Sequence, residues 1–188
     1  MHTKRTPGFR RVHAALGMVS IAVLALIPAA SAGTSADSLE ARLQKVEDIL
    51  AIQQLLGDYM TFMDASNYAA YSELFASDGE LIFQTYRLKG PKAIRELMEQ
   101  ASRKIPAKSG ASTGGLRHLM SNIVIRVDGS RATSTAQWIV MSQGSDGRPI
   151  LGATGRYEDS LRKNGAQWKF QRRVIFADFP YQNPLESK

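Results

Sequence analysis

From Leu116 onward the chain consists of long alternating runs rich in β-branched and aromatic residues. They cover roughly residues 117 to 127, 131 to 143, 150 to 163 and 167 to 178, with turn signals between them at Asp128-Gly129, Ser145-Asp146-Gly147 and Asn164-Gly165. Four consecutive strands joined by hairpins form an antiparallel meander, and strands this long predict a strongly curved sheet. Such a sheet has one apolar face, which another part of the chain has to cover.

The preceding residues supply helices for that purpose. Asp37 followed by Glu40 resembles a capping box, and Leu39, Leu43, Val46, Ile49, Leu50 and Leu56 then recur at helical spacing. This predicts a helix of about seven turns running towards Met63. A short helix over Tyr68 to Phe75 follows, closed by Ser77-Asp78-Gly79, and Leu81 to Tyr86 reads as a strand. Gly90-Pro91 opens a third helix with Ile94, Leu97 and Met98 facing inward, and Pro106 stops it. Ala107 to Gly115, rich in Ser and Gly, is either a surface connector or a lid. Helices first and a meander last, with one early strand to complete the sheet, is an α+β arrangement. The expected form is a cone: a strongly curved, mostly antiparallel sheet with helices covering its concave face and a cavity between them.

The first residues read as an address. Lys4, Arg5, Arg10 and Arg11 form an acid-free positive leader, Ala14 to Ile27 is a short apolar run, and Ala30-Ser31-Ala32 offers small residues for cleavage. The expectation is a cleaved signal over residues 1–32, a single domain over 33–188, and a periplasmic or secreted location; an uncleaved anchor is the alternative. The formal charge of +7 comes from 24 Lys and Arg against 17 Asp and Glu. Without residues 1–32, 20 bases face 17 acids, a balance of +3. The remaining bases are scattered, which argues against nucleic acid as a partner, and once the signal is cut nothing calls for a membrane. The chain has no cysteine, which excludes disulfides and thiolate chemistry. Of its three histidines only His118 lies outside the leader, so no multi-histidine metal site forms within one processed chain.

Against that background His118 and Asp64 are the candidate catalytic pair. His118 begins the first long strand with Met120, Asn122 and Val124 on its face by period two. Asp64 ends the apolar run Tyr59-Met60-Thr61-Phe62-Met63, and a carboxylate there needs a partner. Either it orients the imidazole of His118 or it caps the helix that follows Asn67. Tyr59 is the candidate hydroxyl donor, and Arg173 a cation for the polar end of a substrate. By period two, Arg173 falls opposite Trp168 and Phe170, towards solvent, unless a bulge near Arg172 re-aims the strand. Asn122 is a candidate hydrogen-bonding residue of the pocket; Phe83, Trp138 and Met141 read as core or apolar lining.

Several runs occur together in order: Ile52-Gln53-Gln54-Leu55 through Tyr59 and Asp64, Leu74-Phe75 with Asp78-Gly79, Lys89-Gly90-Pro91, Arg117-His118 through Asn122, Gly155 to Asp159, and Gly165 through Trp168-Lys169-Phe170 to Arg172-Arg173. Over Leu39 to Phe179 the chain thereby resembles the SnoaL-like family of the nuclear transport factor 2-like superfamily. Its pattern is similar to that of scytalone dehydratase, bile-acid 7α-dehydratase and lindane dehydrochlorinase. The resemblance implies a cofactor-independent lyase or isomerase acting on a small hydrophobic oxygenated molecule. Asp64, His118, Tyr59 and Arg173 would occupy the family's pocket positions, and a homodimer or higher homo-oligomer would form through the outer sheet face. The chain departs from the dehydratases on the next strand, where Trp138 to Gln143 offer no second acid or histidine. A non-catalytic periplasmic binding or dimerisation module is the alternative.

Overall fold

The computed structural model describes His2 and residues 32–104, 116–144 and 146–178. Apart from His2 and Ala32, the expected leader lies outside the described residues, as does the whole Ala107–Gly115 connector. The elements run α1 (Ala32–Asp64), α2 (Tyr68–Glu73), β1 (Phe75–Phe83), β2 (Tyr86–Lys89), α3 (Gly90–Lys104), β3 (Arg117–Asp128), β4 (Arg131–Gln143), β5 (Pro149–Asn164) and β6 (Gln167–Ala177). The six strands form one curved, unclosed sheet in the order β2-β1-β6-β5-β4-β3. Only β1 against β6 is parallel, so the fold is α+β with a mostly antiparallel sheet.

The four-strand meander lies where the alternation predicts it. The earlier half differs in detail. α1 starts at Ala32, ahead of the Asp37 cap, and α2 stops at Glu73. Ser77-Asp78-Gly79 does not end a helix but lies within β1, where the register against β6 shifts between Phe75 and Glu80. A Cβ on Gly79 would sit 2.6 Å from the Phe170 carbonyl oxygen, so only glycine permits this close approach of the two backbones. The strand expected over Leu81 to Tyr86 is a hairpin, broken at Gln84, whose φ is 50°.

The core lies between α1 and the concave face. Ile52, Leu55, Leu56, Tyr59 and Met60 of the helix pack with Ala136, Trp138, Tyr157, Leu161, Trp168 and Phe170 of β4 to β6. α1 is pinned near its middle by Asp48, which is 6% exposed and accepts hydrogen bonds from Trp168 Nε1 (2.9 Å) and, as an ion pair, from Lys163 Nζ (2.7 Å). That contact ties the helix to the β5–β6 hairpin. At the other end of the sheet, burial relaxes: Phe83, His118, Met120, Val140, Ile175 and Ala177 are only half-buried. There β1, β4 and β6 end and β3 and β5 begin, with His118 paired to Val140, Val140 to Ala153, and Phe83 to Ile175.

Candidate active site

Asp64 owes its position to the way α1 stops. Asn67 N–H donates to Phe62 O and Ser66 N–H to Met63 O, with Ser66 at φ 55°. This is the paired-bond ending that a left-handed residue after the helix produces, here without glycine. It leaves Asp64 in the last turn, facing the start of β3. The Asp64 Oδ1 to His118 Nδ1 distance is 2.6 Å, and both carboxylate oxygens also accept from the His118 main-chain N–H, at 3.1 and 3.2 Å. The two side chains are 19% and 15% exposed, half-buried but reachable. The capping alternative for Asp64 is taken by Asn67, whose side chain accepts from Ala70 N–H at the start of α2. With Asp64 accepting at Nδ1, the basic lone pair of a neutral ring lies on Nε2.

Arg173 is inward, and the reason is a bulge. The β5–β6 register passes from Leu161 opposite Phe170 to Ser160 opposite Arg172, leaving Gln171 as the extra residue. Alternation is reset there, so Arg173 joins Trp168 and Phe170 on the concave face and Arg172 is the exposed one. Its guanidinium is 0% exposed. Nε and Nη2 donate to the two oxygens of Asp159 at 2.7 and 2.8 Å, and Ser134 Oγ donates to the same carboxylate at 2.7 Å. The rings of Tyr59, Phe170 and Tyr157 lie 4.0 to 4.2 Å from the guanidinium carbon. Burial opposes this charge, but the Asp159 carboxylate outweighs that cost and raises the Arg173 pKa further. The expectation from simple alternation that Arg173 faces solvent is corrected: it lies inward, held by Asp159 and an aromatic cage, with its Nη1 left without a hydrogen-bond partner among the described residues.

Tyr59 shares that cage. It is 2% exposed and its hydroxyl accepts from Tyr71 Oη at 2.6 Å. Burial pushes its ionisation up, against the pull of the adjacent Arg173 cation. The helix turns Tyr59 into the core and Asp64 to the rim, which separates two residues expected to border one pocket. Asn122 also moves out of the expected set. It sits at a β3 bulge with φ 51°, is exposed, and donates to Gln137 Oε1 at 2.8 Å. Beyond the bulge Ile125 and Val127, not Val124, face inward. Met141 pairs with Arg117 and Leu151, one residue out of phase with the inward Trp138 and Val140, and so belongs to the outer face. Phe83 and Trp138 remain on the concave side. Trp138 is 4% exposed and, among the described residues, its indole N–H has no hydrogen-bond partner.

Sequence reasoning missed Tyr157, Asp159 and Ser134. Tyr157 is buried, its ring 5.7 Å from Tyr59 and 6.0 Å from Trp138. Burial raises its pKa well above the usual tyrosine value, against the pull of the Arg173 cation. The signal was present: by period two, Gly155, Tyr157 and Asp159 share one face, and an acid on an apolar face needs a cation. Among the described residues no three metal-binding side chains come together.

The model of the SnoaL-like domain matches residues 44–174. No curated protein is a significant match. Among solved structures the chain is similar to an NTF2-like protein with a cystatin-like fold from Novosphingobium aromaticivorans. The two are 26% identical over 73% of this chain and 86% of that one, with a TM-score of 0.63. A candidate scytalone dehydratase from the same organism is 22% identical over 77% and 97%, with a TM-score of 0.60. LinA is 17% identical over 73% and 90%, with a TM-score of 0.62. At these identities the last two likenesses concern the fold alone. With its curved six-stranded sheet, its covering helices and a family match over most of its length, the chain belongs to the SnoaL-like family.

Proposed function

We propose that this protein is a cofactor-independent lyase or isomerase that moves a proton on a small, apolar, oxygenated molecule, and that His118 is its base. The observation that carries the reading is the 2.6 Å contact between Asp64 and His118 at the half-buried end of the concave face. Nε2 takes a proton from a carbon next to a carbonyl, and the electron pair of that C–H bond is delocalised into the carbonyl oxygen. In elimination, the pair then forms the new double bond as a β-hydroxyl leaves, and the imidazolium returns its proton so that the hydroxyl departs as water. In isomerisation, the same proton is delivered to another carbon. Asp64 fixes the ring and stabilises the imidazolium, held in turn by the main-chain N–H of His118.

Phe83, Met120, Val140 and Ile175 supply apolar contact for the substrate around the pair. Among the buried groups of the concave face, the roles first assigned to Tyr59 and Arg173 pass to Tyr157 as hydroxyl donor and to the indole N–H of Trp138, unpartnered among the described residues, as donor to a substrate oxygen. Tyr59 and Arg173 become positioning residues, acting by holding Tyr157. The amino-terminal leader supports action in the periplasm or outside the cell.

The test uses model substrates, cyclic ketones and β-hydroxyketones in D₂O, with deuterium incorporation and loss of water followed by NMR. Wild-type protein should catalyse exchange or elimination, and His118→Asn should lower the rate by about 10²- to 10⁴-fold while ligand affinity is kept. The binding-module reading is favoured by the withdrawal of Tyr59 and Arg173 into the core, which leaves two polar groups at the rim where four were expected. It predicts saturable binding of such ligands with no turnover, and no change on His118→Asn.

A further inference from the structure

α1 is apolar on two sides. Its docked face carries Ile52, Leu55, Leu56 and Tyr59, whereas Leu39, Leu43, Val46 and Leu50 are 64%, 56%, 53% and 58% exposed. At about 100° per residue, these four lie roughly 120 to 180° from Ile52, on the back of the helix. Single exposed aliphatic side chains are ordinary, but a continuous stripe of them on one helix is not. The spacing of the stripe is four, three and four residues, which is the a/d repeat of a two-stranded coiled coil rather than the wider stripe of a helix lying on a sheet. With Leu43 and Leu50 at a and with Leu39 and Val46 at d, Glu40 and Glu47 fall at e and Arg42 at g, all three exposed.

We propose that α1 pairs through this seam with α1 of a second copy of the chain, parallel and in register. The charges select the orientation. In a parallel pair each g position faces the following e position of the other helix, so Arg42 meets Glu47 of the partner subunit on both flanks. An antiparallel pair sets e against e, acid against acid. The back-to-back geometry is open because the seam faces away from the sheet, so the two bodies lie on opposite sides of the helix pair. The seam spans barely two heptads, which predicts a dimer that dissociates on dilution. This interface is separate from the outer sheet face and does not depend on the proton-transfer reading.

The test uses the full chain, purified as the cell processes it. Because the protein has no cysteine, Val46→Cys introduces a single thiol, at a seam position. Mild oxidation should convert this variant to a covalent dimer, whereas Ala41→Cys, on the outer edge of the pair, should stay uncrosslinked. In sedimentation equilibrium, Arg42→Glu and Glu47→Arg should each raise the dimer dissociation constant about tenfold, since each replaces two attractive pairs by two repulsive ones. The double exchange Arg42→Glu/Glu47→Arg should restore the wild-type value to within about threefold. A wild-type chain that is monomeric at all concentrations overturns the proposal. So does a dimer indifferent to these substitutions, which would lie on the outer sheet face, or one strengthened by Glu47→Arg, which relieves the acid-against-acid contacts of an antiparallel pair.

Discussion

The buried pair of Arg173 and Asp159 is the most exacting requirement at the scale of single residues. Both side chains are fully buried, so the loss of either partner leaves the other charge without compensation. Asp159→Ala should cost about 3–5 kcal/mol in urea unfolding, whereas a paired apolar replacement such as Arg173→Met with Asp159→Leu should cost much less. If Asp159→Ala unfolds at the wild-type midpoint, the guanidinium has found another acceptor. Gly155 is a second such position. Any Cβ there would overlap the Phe176 carbonyl oxygen and lie 2.6 Å from the Trp138 ring. Gly155→Ala should therefore destabilise by about 1–3 kcal/mol and shift Trp138 fluorescence, because the indole has to leave the strand it lies against. The sequence displayed both residues, and alternation alone puts them on one face. What it did not display was that Asp159 would engage the cation of Arg173.

At the scale of elements, bulges and clamps decide what faces the concave side. Because Gln171 is the extra residue of the bulge, its deletion should keep Leu161 opposite Phe170 and Asp159 opposite Arg173, so Arg173 stays inward and the fold is retained; loss of the fold on deletion would mean that the bulge itself is required. Limited proteolysis and circular dichroism would detect that loss. The clamp of α1 at Asp48 carries a pH signature. Burial opposes ionisation of Asp48, but hydrogen bonds from Lys163 and Trp168 prevail, so its folded pKa lies below the ordinary aspartate value of 3.8. A depressed carboxylate contributes stability that is fully present above its unfolded pKa and is lost as pH falls through the folded one. Wild-type protein should therefore lose stability below about pH 4 more steeply than Asp48→Asn, as measured by thermal midpoints across that range. The same midpoint at pH 7 should be lower for Asp48→Asn than for wild type. The strand runs were legible because long alternating segments with glycine turns have few other solutions. The split of the early strand into β1 and β2 was not, because Gln84-Thr85 is no turn signal and its left-handed φ is imposed by pairing.

At the scale of the whole molecule, the sheet has two unlike edges and a closed middle. β5 and β6 lie inside the sheet and against α1, whereas β2 and β3 are the edge strands. Native-state hydrogen exchange should find β5 and β6 amides opening only with global unfolding, and the unpaired amides of β2 and β3 exchanging faster. Equal protection of β3 and β5 would mean that something covers the β3 edge. The His118 end of β3 is the part held by α1 through Asp64, so Asp64→Ala should deprotect Arg117 to Met120 before the rest of the strand. The sequence by itself determined the class of the fold and the four-strand meander, and it singled out His118 and Asp64 as a candidate pair while leaving a helix cap open as the role of Asp64. Period-two and helical patterns are local, and a carboxylate at the end of an apolar run has few places to go. Only the tertiary structure decided the facing of Arg173, Asn122 and Met141 and the withdrawal of Tyr59 into the core. Each bulge depends on how two distant strands share hydrogen bonds, and one extra residue in the ladder exchanges the inside of a strand for its outside.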